Sequence, residues 1–236
     1  MNTGAPLAIR LNVAGVAPHI LRAVRPFLPY RLVFGMMSVM RNTGVNARAA
    51  AKEATHDRIV SVAARAIRRS GYDGTGVADI MKEAGLTHGA FYAHFPSREV
   101  MLEEAAGRAC AEASANAVRA AEDGPPGEAL ASLLRAYLSK EHMAHAELGC
   151  PMAALGSETS RQIPEVRGVL TRHVKAMIDL VARQSPDRGQ ADVHERAHVT
   201  VATMLGALML ARAVDDPALS DNLRNAALKH LTNPDL

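Results

Sequence analysis

The sequence predicts an all-α protein: a small helical domain built on a helix-turn-helix, followed by a larger helical domain. Three observations predict it. Alanine and leucine dominate the chain, and period-two alternation of apolar residues is hard to find. Apolar residues instead recur at three- and four-residue spacing. Gly and Pro punctuate the pattern at intervals suited to helices. With 236 residues, 48% hydrophobic and 22% charged, the chain is long enough for a sizeable core and too apolar for bulk disorder. Two cysteines, Cys110 and Cys150, without CxxC spacing are too few for a disulfide framework, so a reducing, cytoplasmic setting is expected.

Residues 1–50 form the first segment. They carry Arg10, Arg22, Arg25, Arg31, Arg41 and Arg48 and no acid, against a net charge of +3 for the chain, so a basic arm precedes a mildly acidic body. Such an arm is either attracted to polyanions or a solvated tail, and it is expected to be poorly ordered. Pro18, Pro26 and Pro29 interrupt its apolar stretches. Its longest clean apolar run, Leu32 to Met40, is far too short to cross a bilayer, and nothing in it matches a secretory leader. Met36, Met37 and Met40 each offer an alternative start of translation.

Regular helical signals begin at Thr55, a good N-cap with Asp57 in the first turn. Ile59, Val60, Ala63, Ala66 and Ile67 define one buried face, Arg68 and Arg69 fill the last turn, and Gly71 is the stop. A short second helix, VADIMKEA, ends at Gly85, and a third begins three residues later. It contains the run LTHGAFYAHFPSREVML, which holds three of the chain's eight aromatic rings (four Tyr, four Phe, no Trp). Two short helices joined by a tight Gly-containing turn make a helix-turn-helix. Val77, Ile80 and Met81 face Phe91 and Phe95, which are four apart and read as core. Thr87, His88, Gly89, Tyr92 and His94 point elsewhere. Pro96 ends the helix and Ser97 caps a long fourth one, with Glu99 in its first turn. Arg98 opposes the helix dipole there, which favours a role outside the fold.

Beyond EDGPPGEA, helical patterns run over about 127–147, 151–160, 164–184, 190–214 and 217–231. The stretch from Val199 to Val214 is apolar on nearly all sides and is expected to be buried. Gly206 in its middle suggests a close helix–helix approach, within one subunit or between two. Met143, Met152 and Met177 are candidate pocket residues and equally ordinary core. Cys150, before Pro151, is a candidate redox or electrophile sensor, or an inert small residue. His88 and His94 are six apart and cannot share a metal on one helix face. His142 and His145 are better spaced but lack further ligands. No metal site, cofactor site, Gly-rich phosphate loop or nucleophile elbow is found, so no enzymatic activity is expected.

The run from Arg58 to Ala105 resembles the DNA-binding domain of the TetR family of bacterial transcriptional regulators. The matching residues are Ala63-Ala64, Gly71-Tyr72-Asp73-Gly74-Thr75, Asp79-Ile80, Ala84-Gly85, Leu86-Thr87 and Tyr92-Ala93-His94-Phe95-Pro96-Ser97-Arg98-Glu99. Gly76 departs from the usual Ser or Thr cap, and Ile67 from a usual aromatic. GCPMAALGSETSRQIPEVRGVL and GALMLARAVDDPALSDNLRNAA resemble, more weakly, the C-terminal domains of one branch. The resemblance implies a DNA-binding domain at 53–113, with its helix-turn-helix at 76–95, and a helical ligand-binding and dimerisation domain at 114–236. It further implies double-stranded DNA with a palindromic operator as partner, a small-molecule effector, a homodimer joined through the last two helices, and a role as repressor. By the same resemblance Thr87, His88, Gly89, Ala90 and His94 face the major groove, and Tyr92, Ser97 and Arg98 grip phosphates. The competing reading is a helical ligand- or redox-sensing protein without DNA binding.

Overall fold

The computed structural model describes residues 30–186 and 189–233, with side chains from residue 46 onward. Its elements are α1 (Tyr30–Ser70), α2 (Val77–Glu83), a 3-10 segment (His88–Ala93), α3 (Arg98–Glu122), α4 (Ala129–Tyr137), α5 (Lys140–Ala144), a 3-10 turn (Ala146–Leu148), α6 (Pro151–Thr159), α7 (Pro164–Gln184), α8 (Val193–Ala213) and α9 (Pro217–Thr232). The chain divides at residues 49 and 50 into two units, and the second holds both cores and both sites. Of the expected disordered extension, residues 1–29 lie outside the described residues; from Tyr30 the backbone is helical. Thr55 is therefore no N-cap. Its hydroxyl donates to the Ala51 carbonyl at 2.8 Å, mid-helix. RAAAKEA just before it contains only good helix formers and no stop, so the helix does not begin at the first polar cap.

One core gathers the helix-turn-helix. Ile59, Ala63 and Ile67 of α1, Ile80 and Met81 of α2, Phe91 and Phe95, and Met101 of α3 are all at most 1% exposed. The Phe91 and Phe95 rings stack with centroids 5.4 Å apart. The clustered aromatics are thus chiefly the anchors of a small core. The turn between α2 and the 3-10 segment is a Schellman motif: Leu86 N–H donates to Met81 O at 2.8 Å and Gly85 N–H to Lys82 O at 3.0 Å. It places Gly85 at φ 71, where a Cβ is disfavoured. The expected third α-helix is instead two 3-10 turns, with Ala90 N–H donating to Thr87 O and His94 N–H to Phe91 O. The segment itself spans only six residues, His88–Ala93, too few for a cooperative α-helix.

The same core does not stop at residue 113. It takes in Leu155 of α6 and Val166, Val169 and Leu170 of α7. α3 crosses the expected boundary, with Ala105, Ala106, Ala109, Ala113, Ala117 and Ala121 buried along it. Small side chains let neighbouring helices approach closely there, so the two expected domains share α3. The helix expected over 127–147 is broken: Ser139 Oγ accepts from His142 N–H at 3.1 Å and caps the separate α5. α6, α7 and α9 begin at prolines and lie close to their expected positions. α8 differs from expectation. Val201, Met204 and Leu208 are buried, yet Val199 is 57% and Leu210 55% exposed, so this apolar helix is only half covered by its own chain. A Cβ on Gly206 would meet no atom within 4 Å, so packing within the subunit does not require that glycine.

Phe91→Ala removes the central ring of the helix-turn-helix core and should cost about 3–5 kcal/mol, read as a lower denaturant midpoint. Loss of less than about 1 kcal/mol would place the core elsewhere.

Candidate functional site

The surface over the Phe91–Phe95 core is the first site. Thr87, His88, Gly89 and Tyr92 are exposed, Tyr92 by 71%, while Ala90 is half-buried. Burial of Phe91 and Phe95 forces these neighbours outward on one short ridge. Two sequence candidates turn inward instead. His94 leans on His56 with ring centroids 6.0 Å apart, and burial holds its imidazole below the usual value. Arg98 spends one guanidinium nitrogen on the carbonyls of Tyr72 and of Thr75, pinning the α1–α2 turn, rather than standing free of the fold as expected. Ser97 caps α3, accepting from Val100 N–H at 3.3 Å. At Gly76, the N-cap of α2, no side chain caps the helix. The turn that Arg98 holds also needs its glycines: a Cβ on Gly74 would fall 2.0 Å from the Ser70 carbonyl oxygen.

The second site is a cavity of about 440 Å³ among α3, α4, α5, the 146–150 segment and α7. Its wall is mostly apolar (Ala117, Leu133, Ala136, Met177), with Tyr137, His142 and Cys150 among its polar members. Of the three candidate methionines only Met177 lines it; Met143 and Met152 pack against the cores. Cys150 is in the wall, as the N-cap residue of α6, and its Sγ lies 3.6 Å from His173 Nε2. His173 Nδ1 in turn meets Ser114 Oγ at 3.2 Å. The other thiol, Cys110, is pushed up to about 12 by burial and stays protonated.

His142 organises the wall. Its Nδ1 donates to the Tyr137 carbonyl at 2.6 Å, which leaves Nε2 to accept from Cys150 N–H at 3.0 Å. That pairing fixes a neutral imidazole, and burial holds its pKa below the usual value. It also requires a glycine at 149, because a Cβ there would lie 2.4 Å from His142 Nε2. Sequence reasoning missed this group: His142 stood out only as half of a better-spaced histidine pair that lacked further ligands, and no local signal ties it to residue 150. Among the described residues no cluster of three or more His, Cys, Asp or Glu is placed to hold a metal, and no helix is long and apolar enough to cross a membrane.

Two contacts join the sites. Arg68, whose side chain is 0% exposed, donates to the carbonyls of Ala64 at 3.0 Å and of Gly149 at 3.1 Å, and to Glu112 Oε2 at 2.6 Å. Glu158 of α6 accepts from Tyr72 N–H at 2.9 Å. The peptide that closes the cavity is therefore bonded to the helix-turn-helix body on one side and to His142 on the other. Arg68 was expected only as a favourable charge in the last turn of a helix; its burial depends on residues 44 and 81 positions away.

Comparison with known proteins agrees with this architecture. Residues 59–105 match the family model of bacterial regulatory proteins of the tetR family, and residues 126–227 that of the tetracyclin repressor-like C-terminal domain. An uncharacterized HTH-type transcriptional regulator of Mycobacterium tuberculosis is 29% identical over 186 residues, covering 74% of this chain and 95% of that protein. Among solved structures, reduced NemR of Escherichia coli superposes with a TM-score of 0.65 at 19% identity, covering 76% of this chain and 95% of that one. A TetR-family regulator from Agrobacterium tumefaciens gives 0.64 at 23%, covering 76% and 98%. At these identities the structures speak for the fold.

Burial holds His142 and His173 below the usual imidazole value of 6.5. The unfolded chain therefore takes up protons that the folded chain refuses. The stability these residues contribute is complete above 6.5 and is lost as the pH falls toward their lower folded values. The melting temperature should drop between about pH 7.5 and about pH 5.5, and the drop should shrink in His142→Asn and His173→Asn. A melting temperature flat over that range would contradict the buried neutral state.

Proposed function

The chain belongs to the TetR family of bacterial regulatory proteins, and we propose that it acts as a dimeric repressor, released from a palindromic operator by a small molecule in the Cys150 cavity. The observation that carries the DNA-reading surface is the ridge of Thr87, His88, Gly89 and Tyr92 held outward by buried Phe91 and Phe95. Thr87 and His88 can donate to and accept from base edges. Gly89 lets the backbone approach, and Ala90 offers a methyl to thymine. Tyr92, with a phenol at the exposed end of the ridge, and Ser97 take phosphates. His94 and Arg98 serve as positioning residues, one wedged on α1 and the other holding the turn before α2.

Dimerisation is supported by the uncovered side of α8. Val199, Met209 and Leu210, with Leu219 of α9, leave an apolar face that a monomer would expose to water. Gly206 has open space around it, which admits a partner helix. Two copies joined there would offer two ridges to successive major grooves. Release is supported by the route from cavity to ridge. An effector that shifts the Gly149–Cys150 peptide strains the Arg68 contact, and a movement of α6 pulls Glu158 against the Tyr72 turn. The effector then favours the dimer whose ridges no longer match the operator, in proportion to its differential affinity.

Fluorescence anisotropy with DNA from upstream of the protein's own gene tests this reading. Tyr92→Phe should weaken binding about tenfold, alike for all operator variants, as expected for one lost hydrogen bond to a phosphate. A loss confined to one base position would make Tyr92 a base reader, and no binding by the wild type would favour a sensor without DNA. Separately, Leu210→Glu should give monomer in sedimentation and lose at least about tenfold in operator affinity, since both half-sites must be held together. A Leu210→Glu dimer with normal binding would move the interface off α8.

A further inference from the structure

Resting on the reading of the cavity as the effector site, we propose that Cys150 is its nucleophilic site, capturing a soft carbon electrophile, an α,β-unsaturated ketone, by conjugate addition. The thiol stands in the cavity wall, whereas Cys110 does not line it. His173 lies behind the sulfur: its Nε2 is 3.6 Å from Sγ, and it is itself absent from the lining, so the cavity side of the thiol is open to a ligand. His173 is 5% exposed and oriented by Ser114, 3.2 Å from Nδ1. Burial keeps it neutral and able to take a proton. Cys150 is also the N-cap residue of α6, so the positive end of that helix faces the charge that develops on sulfur.

Tyr137 supplies an independent pointer to a ligand. It is only 6% exposed, lines the cavity beside Cys150, and its hydroxyl has no oxygen or nitrogen partner, the Cys150 thiol being its polar neighbour. A buried hydroxyl without an acceptor is costly. A ketone oxygen in the cavity satisfies it. Most of the remaining wall suits a carbon skeleton: Ala117, Leu133, Ala136 and Met177 contribute apolar surface, Glu141 is the one carboxylate in the lining, and no Lys or Arg lines the cavity. About 440 Å³ accommodates a ring of six or more carbons.

The reaction consumes no other reagent. The thiol proton passes to His173 Nε2 while Sγ bonds to the β-carbon. The carbon–carbon π pair moves to form an enolate whose oxygen is held by the Tyr137 hydroxyl. A water molecule in the cavity then protonates the α-carbon, and the hydroxide left behind is neutralised by the proton that His173 releases to solvent. The product is a thioether in which S–H has added across the double bond; nothing leaves and nothing is oxidised. Its formation places new bulk on the residue whose own N–H holds His142 and whose neighbouring carbonyl holds Arg68.

The test uses the full chain and 2-cyclohexen-1-one, read by intact mass and peptide mapping. One equivalent should add at Cys150, at least about tenfold faster than at Cys110 and than at Cys150 of the urea-unfolded chain. His173→Gln should slow the addition about tenfold or more, and Tyr137→Phe severalfold, each checked for native circular dichroism. Folded Cys150 reacting no faster than unfolded Cys150 would overturn the proposal, and that comparison stands in the wild type even if a variant misfolds. An unchanged rate in His173→Gln would overturn the role of the imidazole. The adduct is measured without DNA, so failure to bind any operator would sink the repressor reading and leave this one standing. Enone-driven operator release in the wild type and none in Cys150→Ser would join the two. An adduct that leaves operator binding unaltered would remove Cys150 as the switch.

Discussion

A guanidinium held away from water must have its hydrogen bonds supplied by the protein, and Arg68 obtains them from three places at once. Its own helix, the 149 carbonyl beside the cavity and the Glu112 carboxylate each supply one. Removing one partner of a buried charge costs about 3–5 kcal/mol, so these acceptors are held to their positions as firmly as the charge is held to its own. Much of the rest depends on that constraint. The end of α1 carries the Tyr72–Thr75 turn, that turn is tied to Arg98, and Arg98 begins the long helix on which both halves are built.

Sharing of α3 has the same effect on a larger scale. Because its buried face is a run of alanines, helices from both halves come close to it, and the first core passes from the helix-turn-helix into α6 and α7 without a gap. A rigid shared helix lets a small displacement at one end be felt at the other. Flexible linkage, with a separate core on each side, would absorb it.

What the sequence made legible is local. Phe91 and Phe95 four apart, the Gly85 stop and the Ser97 cap each carry their reason within one turn, and each stands in the structure where the pattern placed it. Elements that depend on a missing stop signal were read less well: α1 runs past Thr55, and the stretch over 127–147 breaks at Ser139. The cavity was hardly legible at all. His142, Cys150, His173 and Ser114 meet across separations of 8, 23 and 59 residues, and no periodicity records such a meeting. Methionine identity was a poor guide, because a flexible apolar side chain fills core and pocket equally well. For Arg98 the sequence showed the conflict with the helix dipole but not its resolution, which comes from two carbonyls on a distant turn.

Gly149 has a consequence for how such a chain can diverge. The hydrogen at its α-carbon is the only substituent that leaves His142 Nε2 free to reach the next peptide, since any Cβ would sit 2.4 Å from that nitrogen. The two positions are therefore one inherited unit. A lineage that replaces the imidazole releases the glycine, and one that replaces the glycine first must relinquish the imidazole's bond to residue 150. In a family tree, substitutions at 142 and 149 should fall on the same branches, and the wall chemistry of the cavity should change with them.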